Sequence, residues 1–246
     1  MQKEVRLNKY LSEAGLCSRR MADKMIEAGE ITVDGKPATV GMKVFPEQTI
    51  LVKGRPFERM TELVLLAVNK PVGIVCTTDK RWGDQTVEDM LQYPQRIFSV
   101  GRLDKASEGL LLMTNNGDIL NKIMRAGNYH EKEYEVTVNK PITESFLKDM
   151  AAGGIMVMEQ KTRPCVVEQL GKRKFRIILT QGLNRQIRRM CEACGYSVVK
   201  LCRIRIMNIH LGHLKPGAYR NLTEREIKEL YEQLQDSSSN SKYRKR

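Results

Sequence analysis

The sequence predicts an α+β fold, with a small helix–helix–hairpin module followed by a domain built on a mixed, mainly antiparallel sheet. Two observations lead to this prediction. Over the 246 residues the predicted strands outnumber the predicted helices, and the two kinds of element do not alternate regularly, which is typical of α+β domains. The first 55 residues differ from the rest because they carry two short helical patterns and one tight turn.

The composition indicates a globular protein with a polyanionic partner. Hydrophobic residues make up 41% of the chain and charged residues 29%, and the formal net charge is +13. An excess of this size indicates nucleic acid or an anionic membrane. The sequence has no apolar run near the roughly 20 residues that span a bilayer, and its first residues lack the apolar segment of a signal peptide. We therefore expect a nucleic-acid partner in the cytoplasm.

The cysteines and histidines do not predict a metal site. The six cysteines are scattered through apolar patterns, as free buried thiols in a reducing compartment are. Cys191 and Cys194 form a single C-x-x-C inside a helical pattern, so we favour buried thiols over a zinc or redox pair. The three histidines are too dispersed to suggest a metal centre.

Two short helices are predicted near the start of the chain. Apolar residues fall at helical spacing over residues 5–15, and Gly15 suits the end of that helix. Ser18 is the expected N-cap of a second helix over residues 19–28. The inner face of the second helix is expected to hold Met21, Met25 and Ile26.

A hairpin and a basic surface complete this module. Asp34-Gly35 between β-forming residues predicts a tight turn, and the polar stretch at 54–61, which contains Pro56, is the expected linker. The helix–helix–hairpin pattern resembles the S4 RNA-binding domain over roughly residues 4–55, so we favour RNA binding over an ordinary solvated helix face. The expected phosphate contacts are Arg6, Lys9, Arg19, Arg20 and Lys24.

The second domain is predicted to consist of strands with a few capped helices. The apolar run at 63–69 suits a buried strand, and Thr86 and Thr143 are placed to cap short helices. A capping box at 222–226 begins the final helix. Further strands are expected at 97–100, 110–114, 134–138, 164–167, 174–179 and 198–206, and further helices at 118–124 and 184–194.

The second domain is organised around the stretch from Gly101 to Leu110, which lies between two apolar runs. Within it, Asp104 has Arg102 and Lys105 as basic neighbours, which favour the ionised carboxylate. The glycines permit close approach of a substrate or of another backbone segment. An ionised, positioned aspartate suits a nucleophile or a base, whereas a loop aspartate in a structural ion pair is the alternative interpretation.

Four motifs follow one another along this domain: NKPVGIV at 69–75, GRLDKASEGLLLMTNNGD at 101–118, KEYEVTV at 132–138 and LTQGLNRQIRRMCEACGY at 179–196. In this order they resemble the opening segment, the catalytic motif, the tyrosine motif and the arginine-bearing motif of the RNA pseudouridine synthases of the ribosomal small- and large-subunit type. With the S4-like module, the resemblance covers nearly the whole chain. It implies isomerisation of uridine to pseudouridine in RNA, on a flipped-out base and without metal or external cofactor.

The resemblance also implies roles for individual residues. Asp104 is expected to attack or deprotonate the nucleoside, at either the ribose or the uracil, and Arg188 to pair with it. Tyr134 is expected to stack on the uracil, with an edge-of-core tyrosine as the alternative. Arg102 is expected to fill the space left by the flipped nucleotide, and Leu179 to form an apolar wall. The other expected substrate contacts are Asn184, Arg185, Gln186 and Arg189.

Positive charge concentrates around the arginine-bearing motif. Ten basic residues and one acidic residue lie between Lys172 and Arg205. We expect a groove that follows the RNA backbone here, with a merely basic surface as the alternative. On the predicted helix, Arg185 shares the face of Arg188, whereas Arg189 points elsewhere.

The motif pattern favours 23S ribosomal RNA as the substrate, free or within an assembling large subunit. The alternatives are the same reaction on small-subunit rRNA or tRNA, and a non-catalytic rRNA-binding protein or ribosome assembly factor. The expected division of the chain is an S4-type RNA-binding domain at 1–56, a linker at 57–62, a catalytic domain at 63–235 and a disordered basic tail at 236–246. We expect a monomer.

Overall fold

The computed structural model describes residues 4–57, 62–77 and 83–237. The chain divides into two compact units. The first contains the described residues up to 64 together with residues 93–98 and 115–117, and the second contains the remaining described residues. No helix in these described ranges is long and apolar enough to cross a membrane.

The first unit consists of two short helices and short strands. Its elements are β1 (Val5–Arg6), α1 (Leu7–Glu13), α2 (Arg19–Glu27), β2 (Ile31–Val33), β3 (Lys36–Pro37), β4 (Lys43–Val44), β5 (Ile50–Val52) and β6 (Arg55–Pro56). Ser18 caps α2 as predicted, because its hydroxyl oxygen accepts a hydrogen bond from the Met21 N–H at 3.2 Å. The predicted hairpin is also present, with Asp34 and Gly35 at positive φ angles of 48° and 76°.

Two details of the first unit differ from the prediction. Met21 is 51% exposed because Ala22 and Ile26, which are four residues apart, form the buried face of α2. Pro56, predicted in the linker, instead pairs with Leu51 as part of β6. A proline is tolerated there because β6 is the outer strand of the sheet β3-β2-β5-β6, where no ladder N–H is needed. Residues 58–61 of the predicted linker lie outside the described residues.

The second unit is built on a nine-stranded mixed sheet, which confirms the predicted fold class. Its strands are β7 (Leu65–Lys70), β8 (Phe98–Val100), β9 (Glu108–Thr114), β10 (Lys132–Val138), β13 (Val166–Gly171), β14 (Lys174–Leu179), β15 (Val198–Ile206), β16 (Ile209–His210) and β17 (Tyr219–Asn221), while β11 (Met156–Val157) and β12 (Gln160–Lys161) form a separate hairpin. The helices are α3 (Val87–Leu91), α4 (Gly117–Met124), α5 (Glu144–Ala152), α6 (Gln186–Ala193) and α7 (Glu224–Gln233), with a 3₁₀ turn at Ala126–Asn128.

The sheet runs in the order β13-β14-β10-β15-β9-β7-β17, with β16 beside β15 and β8 beside β9. The pairing of β9 with β15 is parallel, whereas the other neighbours along this order pair antiparallel. The two parallel strands meet at Gly109, where a Cβ atom would lie 2.3 Å from the Arg203 carbonyl oxygen. A glycine is therefore needed for this close approach of backbone, as the sequence suggested.

Each half of the sheet has its own apolar core. The first half contains β7 and β9, and the second half contains β10 and β14. In one buried cluster, Leu110 and Leu112 of β9 pack with Ile123 of α4 and Leu230 of α7. In a second cluster, side chains of α5 and α6 pack with those of β10 and β14. The loop at residues 101–107 leads into β9 of the first half, whereas α6 belongs to the second half.

The structure of this unit departs from the prediction at the start of α6 and at four short strands. The helix expected from residue 184 begins at Gln186, because Arg185 adopts a left-handed φ of 51° that interrupts helical geometry. The short strands β11, β12, β16 and β17 were not predicted, since two or three residues carry too little periodicity. Of the predicted tail, residues 238–246 lie outside the described residues, and the Ser237 N–H donates to the Leu234 carbonyl at 3.1 Å.

Candidate active site

The loop at residues 101–107 holds Asp104 at the surface of the second unit. The Ser107 N–H donates to the Asp104 carbonyl at 3.0 Å, and the Leu103 N–H points to the Cys76 sulfur at 3.5 Å. These contacts fix the backbone on both sides of the aspartate. The Asp104 side chain itself is 30% exposed, so its carboxylate is held in place and accessible.

Two arginines at the start of α6 face this carboxylate. Arg185 Nη1 lies 3.6 Å from Asp104 Oδ2, and Arg188 Nε lies 3.8 Å from the same oxygen. The left-handed turn at Arg185 places the two arginines on the same carboxylate although one precedes the helix and the other is within it. The carboxylate therefore has two positive charges beside it, an arrangement that suits a positioned nucleophile or base.

Arg188 is held far more tightly than Arg185. Its side chain is 9% exposed, compared with 44% for Arg185. Its Nη2 donates to the Ala106 carbonyl at 2.8 Å and to the Ser107 hydroxyl at 3.2 Å, and its Nη1 donates to the Val198 carbonyl at 3.3 Å. Burial lowers the pKa of Arg188, as does Arg185, while Asp104 raises it. Because three hydrogen bonds hold the Arg188 guanidinium, it is a fixed positive charge beside the loop.

The carboxylate opens into a cleft of about 460 Å³ that is partly open to solvent. The cleft is also lined by Arg102 of the loop, Tyr134 of β10 and Leu179 at the end of β14. Leu179 is buried and Tyr134 is half-buried against the core of the second half. The cleft thus combines an acid, basic groups, an aromatic ring and an apolar wall, which suits a planar polar ligand.

The remaining predicted substrate contacts are placed differently. Gln186 lines the cleft, but its Oε1 accepts a hydrogen bond from the Leu183 N–H at 3.0 Å. Asn184 is exposed and Arg189 is half-buried, and neither is among the residues that line the cleft. The roles of these three residues stay predictions.

The five basic residues predicted for phosphate binding lie in the first unit. Arg6, Arg19, Arg20 and Lys24 are exposed. Lys9 is half-buried and its Nζ lies 3.7 Å from Glu13 Oε1, one helical turn further along α1. The four exposed residues are surface charges, Arg6 on β1 and the other three on α2.

Sequence reasoning did not assign a role to Ser107 or Lys70, and it placed Gln181 only among the hydrogen-bonding residues of the basic groove. Ser107 supports Arg188, and the buried Gln181 forms part of the cleft wall. Lys70 at the end of β7 is completely buried, and its Nζ donates to the Pro71 carbonyl at 2.7 Å. Burial lowers the pKa of Lys70, against the raising effect of Cys76, Asp104 and Glu108. A lysine at the end of a strand that begins with an apolar run was the available signal.

The site is a loop aspartate beside two arginines at an open cleft on a mixed sheet, and the same chain carries a helix–helix–hairpin module. This combination fits the class of enzymes that act on RNA. Among the described residues, no group of three or more His, Cys, Asp or Glu side chains is arranged to hold a metal ion.

Comparison with known proteins supports this class and identifies the family. The family model of RNA pseudouridylate synthases matches residues 64–193, and that of the S4 domain matches residues 5–50. The dual-specificity RNA pseudouridine synthase RluF of Escherichia coli K12 is 51% identical over 97% of this chain and 82% of its own length. The ribosomal large subunit pseudouridine synthase B of Bacillus subtilis is 36% identical over 92% of this chain and 95% of its own.

A solved structure agrees with these matches. The crystal structure of a pseudouridylate synthase superposes with a TM-score of 0.68 at 29% identity, over 92% of this chain and 99% of the other. This chain belongs to the RNA pseudouridylate synthase family, with an S4 domain at its N-terminus. The predicted activity, isomerisation of uridine to pseudouridine in RNA, is confirmed at the level of the family.

Proposed function

We propose that this chain isomerises uridine to pseudouridine in 23S ribosomal RNA. The observation that carries the proposal is the carboxylate of Asp104 in an open cleft, 3.6 and 3.8 Å from two arginine side chains. The relatives that support the choice of RNA include a protein whose name states that it acts on the large ribosomal subunit. The net charge of +13 suits a long polyanionic substrate.

The reaction conserves every atom of the nucleoside. The bond from ribose C1′ to uracil N1 breaks, the uracil turns, and a bond forms from C1′ to C5. The C5 proton leaves and N1 acquires a proton, so no oxidant, reductant or second substrate is needed. Asp104 acts at the ribose or at the uracil in this scheme, and both routes require its ionised form.

Each neighbouring side chain has a proposed part in this reaction. Arg188 keeps Asp104 charged and oriented, because it is itself anchored by three carbonyl or hydroxyl oxygens. Tyr134 stacks on the flipped uracil and places its hydroxyl near the C5 proton. Leu179 forms the apolar wall against which the base packs.

The surrounding basic residues are proposed to bind the RNA. A stacked uridine cannot reach Asp104 unless it is flipped out, and the exposed Arg102 at the cleft is placed to occupy the vacated space. Arg185, Gln186, Asn184 and Arg189 contact the strand around the flipped nucleotide. The basic residues of α1 and α2 bind RNA phosphates and take no part in the chemical step.

We further propose the following organisation of the chain. Residues 1–56 act as the RNA-binding module, residues 63–235 as the catalytic domain, and the protein works as a monomer in the cytoplasm. The six cysteines are all free, which suits a reducing compartment.

Mapping of pseudouridine across all rRNA and tRNA tests this function. The maps compare cells with the wild-type protein, cells without it and cells with Asp104→Asn, which keeps the side-chain shape but removes the charge. We expect one or more 23S positions to lose pseudouridine in both altered strains. A position kept by Asp104→Asn but lost without the protein would contradict the role of Asp104, and an unchanged 23S map would contradict the choice of RNA.

A second RNA substrate is the other candidate, because the names of several relatives state dual specificity. The same maps decide this point. Loss of a tRNA or 16S position together with a 23S position would support dual specificity, whereas loss in 23S rRNA alone would oppose it.

A further inference from the structure

Tyr129, between the 3₁₀ turn and β10, is an exposed aromatic residue held in a fixed place. Its side chain is 60% exposed and its φ of 56° lies in the left-handed region, which is uncommon for a bulky residue. Its two neighbours are anchored. Asn128 Nδ2 donates to the Lys122 carbonyl at 2.7 Å, and His130 Nε2 lies 2.8 Å from the Ser237 hydroxyl. The segment that carries the ring is therefore held by hydrogen bonds on both sides of Tyr129.

One face of this ring is covered by an arginine that also contacts the wall of the active-site cleft. The guanidinium carbon of Arg163 lies 4.1 Å from the centroid of the Tyr129 ring. Arg163 Nη1 donates to the Thr180 carbonyl at 3.3 Å, and the Arg163 N–H donates to Gln181 Oε1. Gln181 is itself a lining residue of the cleft that holds Asp104. Arg163 and Gln181 thus connect the exposed ring to the catalytic cleft.

Tyr129 also lines a second open cavity, with an empty volume of about 470 Å³. Glu131 and Gln233 contribute an acceptor and an amide to its lining, and Met207 contributes an apolar surface. The Arg205 side chain in this cavity is paired with Glu131 at 2.9 Å. The cavity offers hydrogen-bonding groups beside an aromatic ring, which are the features that hold an unpaired base.

We propose that Tyr129 is a stacking platform for an unpaired nucleotide of the substrate RNA close to the target uridine. The base stacks on the face of the ring opposite Arg163, and the edge of the base faces the second cavity. Arg163 supplies positive charge for the adjoining phosphate and stiffens the ring by its cation–π contact. The proposal rests on the proposed function, because it requires RNA bound at Asp104. Stacking on an aromatic ring is a sequence-tolerant way to hold single-stranded RNA.

Single-turnover kinetics on an unmodified 23S rRNA transcript test the platform. Tyr129→Asn removes the ring but suits the left-handed backbone, so it leaves the loop able to fold. Tyr129→Phe keeps the ring, and Tyr231→Ala removes a comparably exposed tyrosine of α7 as the matched control. We expect Tyr129→Asn to raise the half-saturating RNA concentration about tenfold, with a saturating rate within twofold of wild type. The variants Tyr129→Phe and Tyr231→Ala are expected to behave as wild type.

Other results would overturn the proposal. A half-saturating concentration within twofold of wild type for Tyr129→Asn would show that no base stacks there. A loss as large for Tyr129→Phe as for Tyr129→Asn would assign the effect to the hydroxyl. A reduced saturating rate at unchanged half-saturation would assign Tyr129 to the chemistry instead.

Ultraviolet crosslinking separates failure of this proposal from failure of the proposed function. Asp104→Asn protein is irradiated with a mixture of 23S, 16S and tRNA transcripts, and the crosslinked peptides are identified by mass spectrometry. We expect a peptide crosslinked at Tyr129, in at least fivefold excess over Tyr231. If the wild-type enzyme modifies only tRNA or 16S transcripts but Tyr129 is crosslinked, stacking on Tyr129 is supported and the assignment of 23S rRNA is wrong. If 23S rRNA is modified but Tyr129 is not crosslinked, stacking on Tyr129 is wrong and the proposed function is unaffected.

Discussion

The two basic regions of this chain carry their positive charge in different ways. In the first unit, four of the five predicted phosphate-binding residues are exposed, three of them on α2 and Arg6 on β1. At the start of α6 in the second unit, Arg188 is buried and has three hydrogen-bond acceptors, and it faces a carboxylate at 3.8 Å. The same residue type is therefore a surface charge in one region and a fixed structural group in the other.

This difference indicates that the exposed charges contribute to RNA affinity and that the anchored arginine contributes to the chemical step. An exposed lysine or arginine binds phosphate by releasing counterions, so its contribution is spread over many groups and weakens with salt. An anchored arginine loses little freedom when it acts, and in a partly buried site its charge is less screened. We therefore expect substitutions on α1 and α2 to weaken RNA binding, and substitutions of the anchored arginine to reduce turnover.

The largest effect is expected for Arg188→Ala. It removes the fixed charge beside Asp104 and leaves the Ala106 and Val198 carbonyls without their donor. We expect turnover to fall by about 100-fold to 1,000-fold, with RNA affinity within about threefold of wild type. Rates at saturating RNA and filter-binding affinities measure the two quantities separately.

Arg189→Ala is the matched control for this experiment, because it makes the same change of charge on the next residue of α6 outside the cleft lining. We expect turnover at saturating RNA within about threefold of wild type, and we expect any loss to fall on RNA affinity, because Arg189 is proposed to contact the strand. Equal losses in both variants would mean that α6 acts through its overall charge, and the distinction between the two regions would fail.

The second prediction concerns Lys132, another buried cation of the second unit. Burial lowers its pKa to about 8, and Arg203 adds to this effect. A lysine in an unfolded chain titrates near 10.4. Between these values the unfolded state binds more protons than the folded state, so the free energy of unfolding rises with pH across this window.

Substitution Lys132→Met removes this pH dependence. We expect the stability of the variant relative to wild type to be greatest below about pH 8 and to decline by roughly 3 kcal/mol by about pH 10.5. Urea unfolding across this range measures it. Lys24→Met, at an exposed lysine of α2, is the control for the loss of a lysine side chain. A constant difference between Lys132→Met and wild type would show that Lys132 titrates normally.

The smallest effect is expected on α2 of the first unit. Arg20→Ala combined with Lys24→Ala should weaken RNA binding roughly tenfold at moderate salt and leave turnover at saturating RNA within twofold. The slope of log affinity against log salt should fall by about 0.7 to 0.9 for each phosphate that is no longer neutralised. Lys36→Ala in the hairpin, an exposed lysine outside the predicted set, serves as the control. A reduced saturating rate for the double variant would link this surface to catalysis.

Local patterns were sufficient where an element depends on its own residues. Thr86 and Thr223 cap α3 and α7 as their sequences indicated. Both form complete capping boxes, of which only the one at Thr223 was predicted. The buried strands β7 and β9 follow from apolar runs that suit no exposed position. Met21 was misplaced because helical spacing defines a face but does not say which neighbouring residue lies at its edge.

Composition and periodicity were enough to predict the α+β class. The order of the motifs and the choice of Asp104 came instead from the resemblance of the sequence to the RNA pseudouridine synthases, and the catalytic role of Asp104 stays a prediction. The assembly of the site depends instead on the three-dimensional fold. Arg185 reaches Asp104 through a left-handed turn, and Arg188 is anchored to a loop about 80 residues earlier in the chain. Such interactions join distant segments, and no local propensity encodes them. They exist because the parallel pairing of β9 with β15 and the packing of α6 bring those segments together.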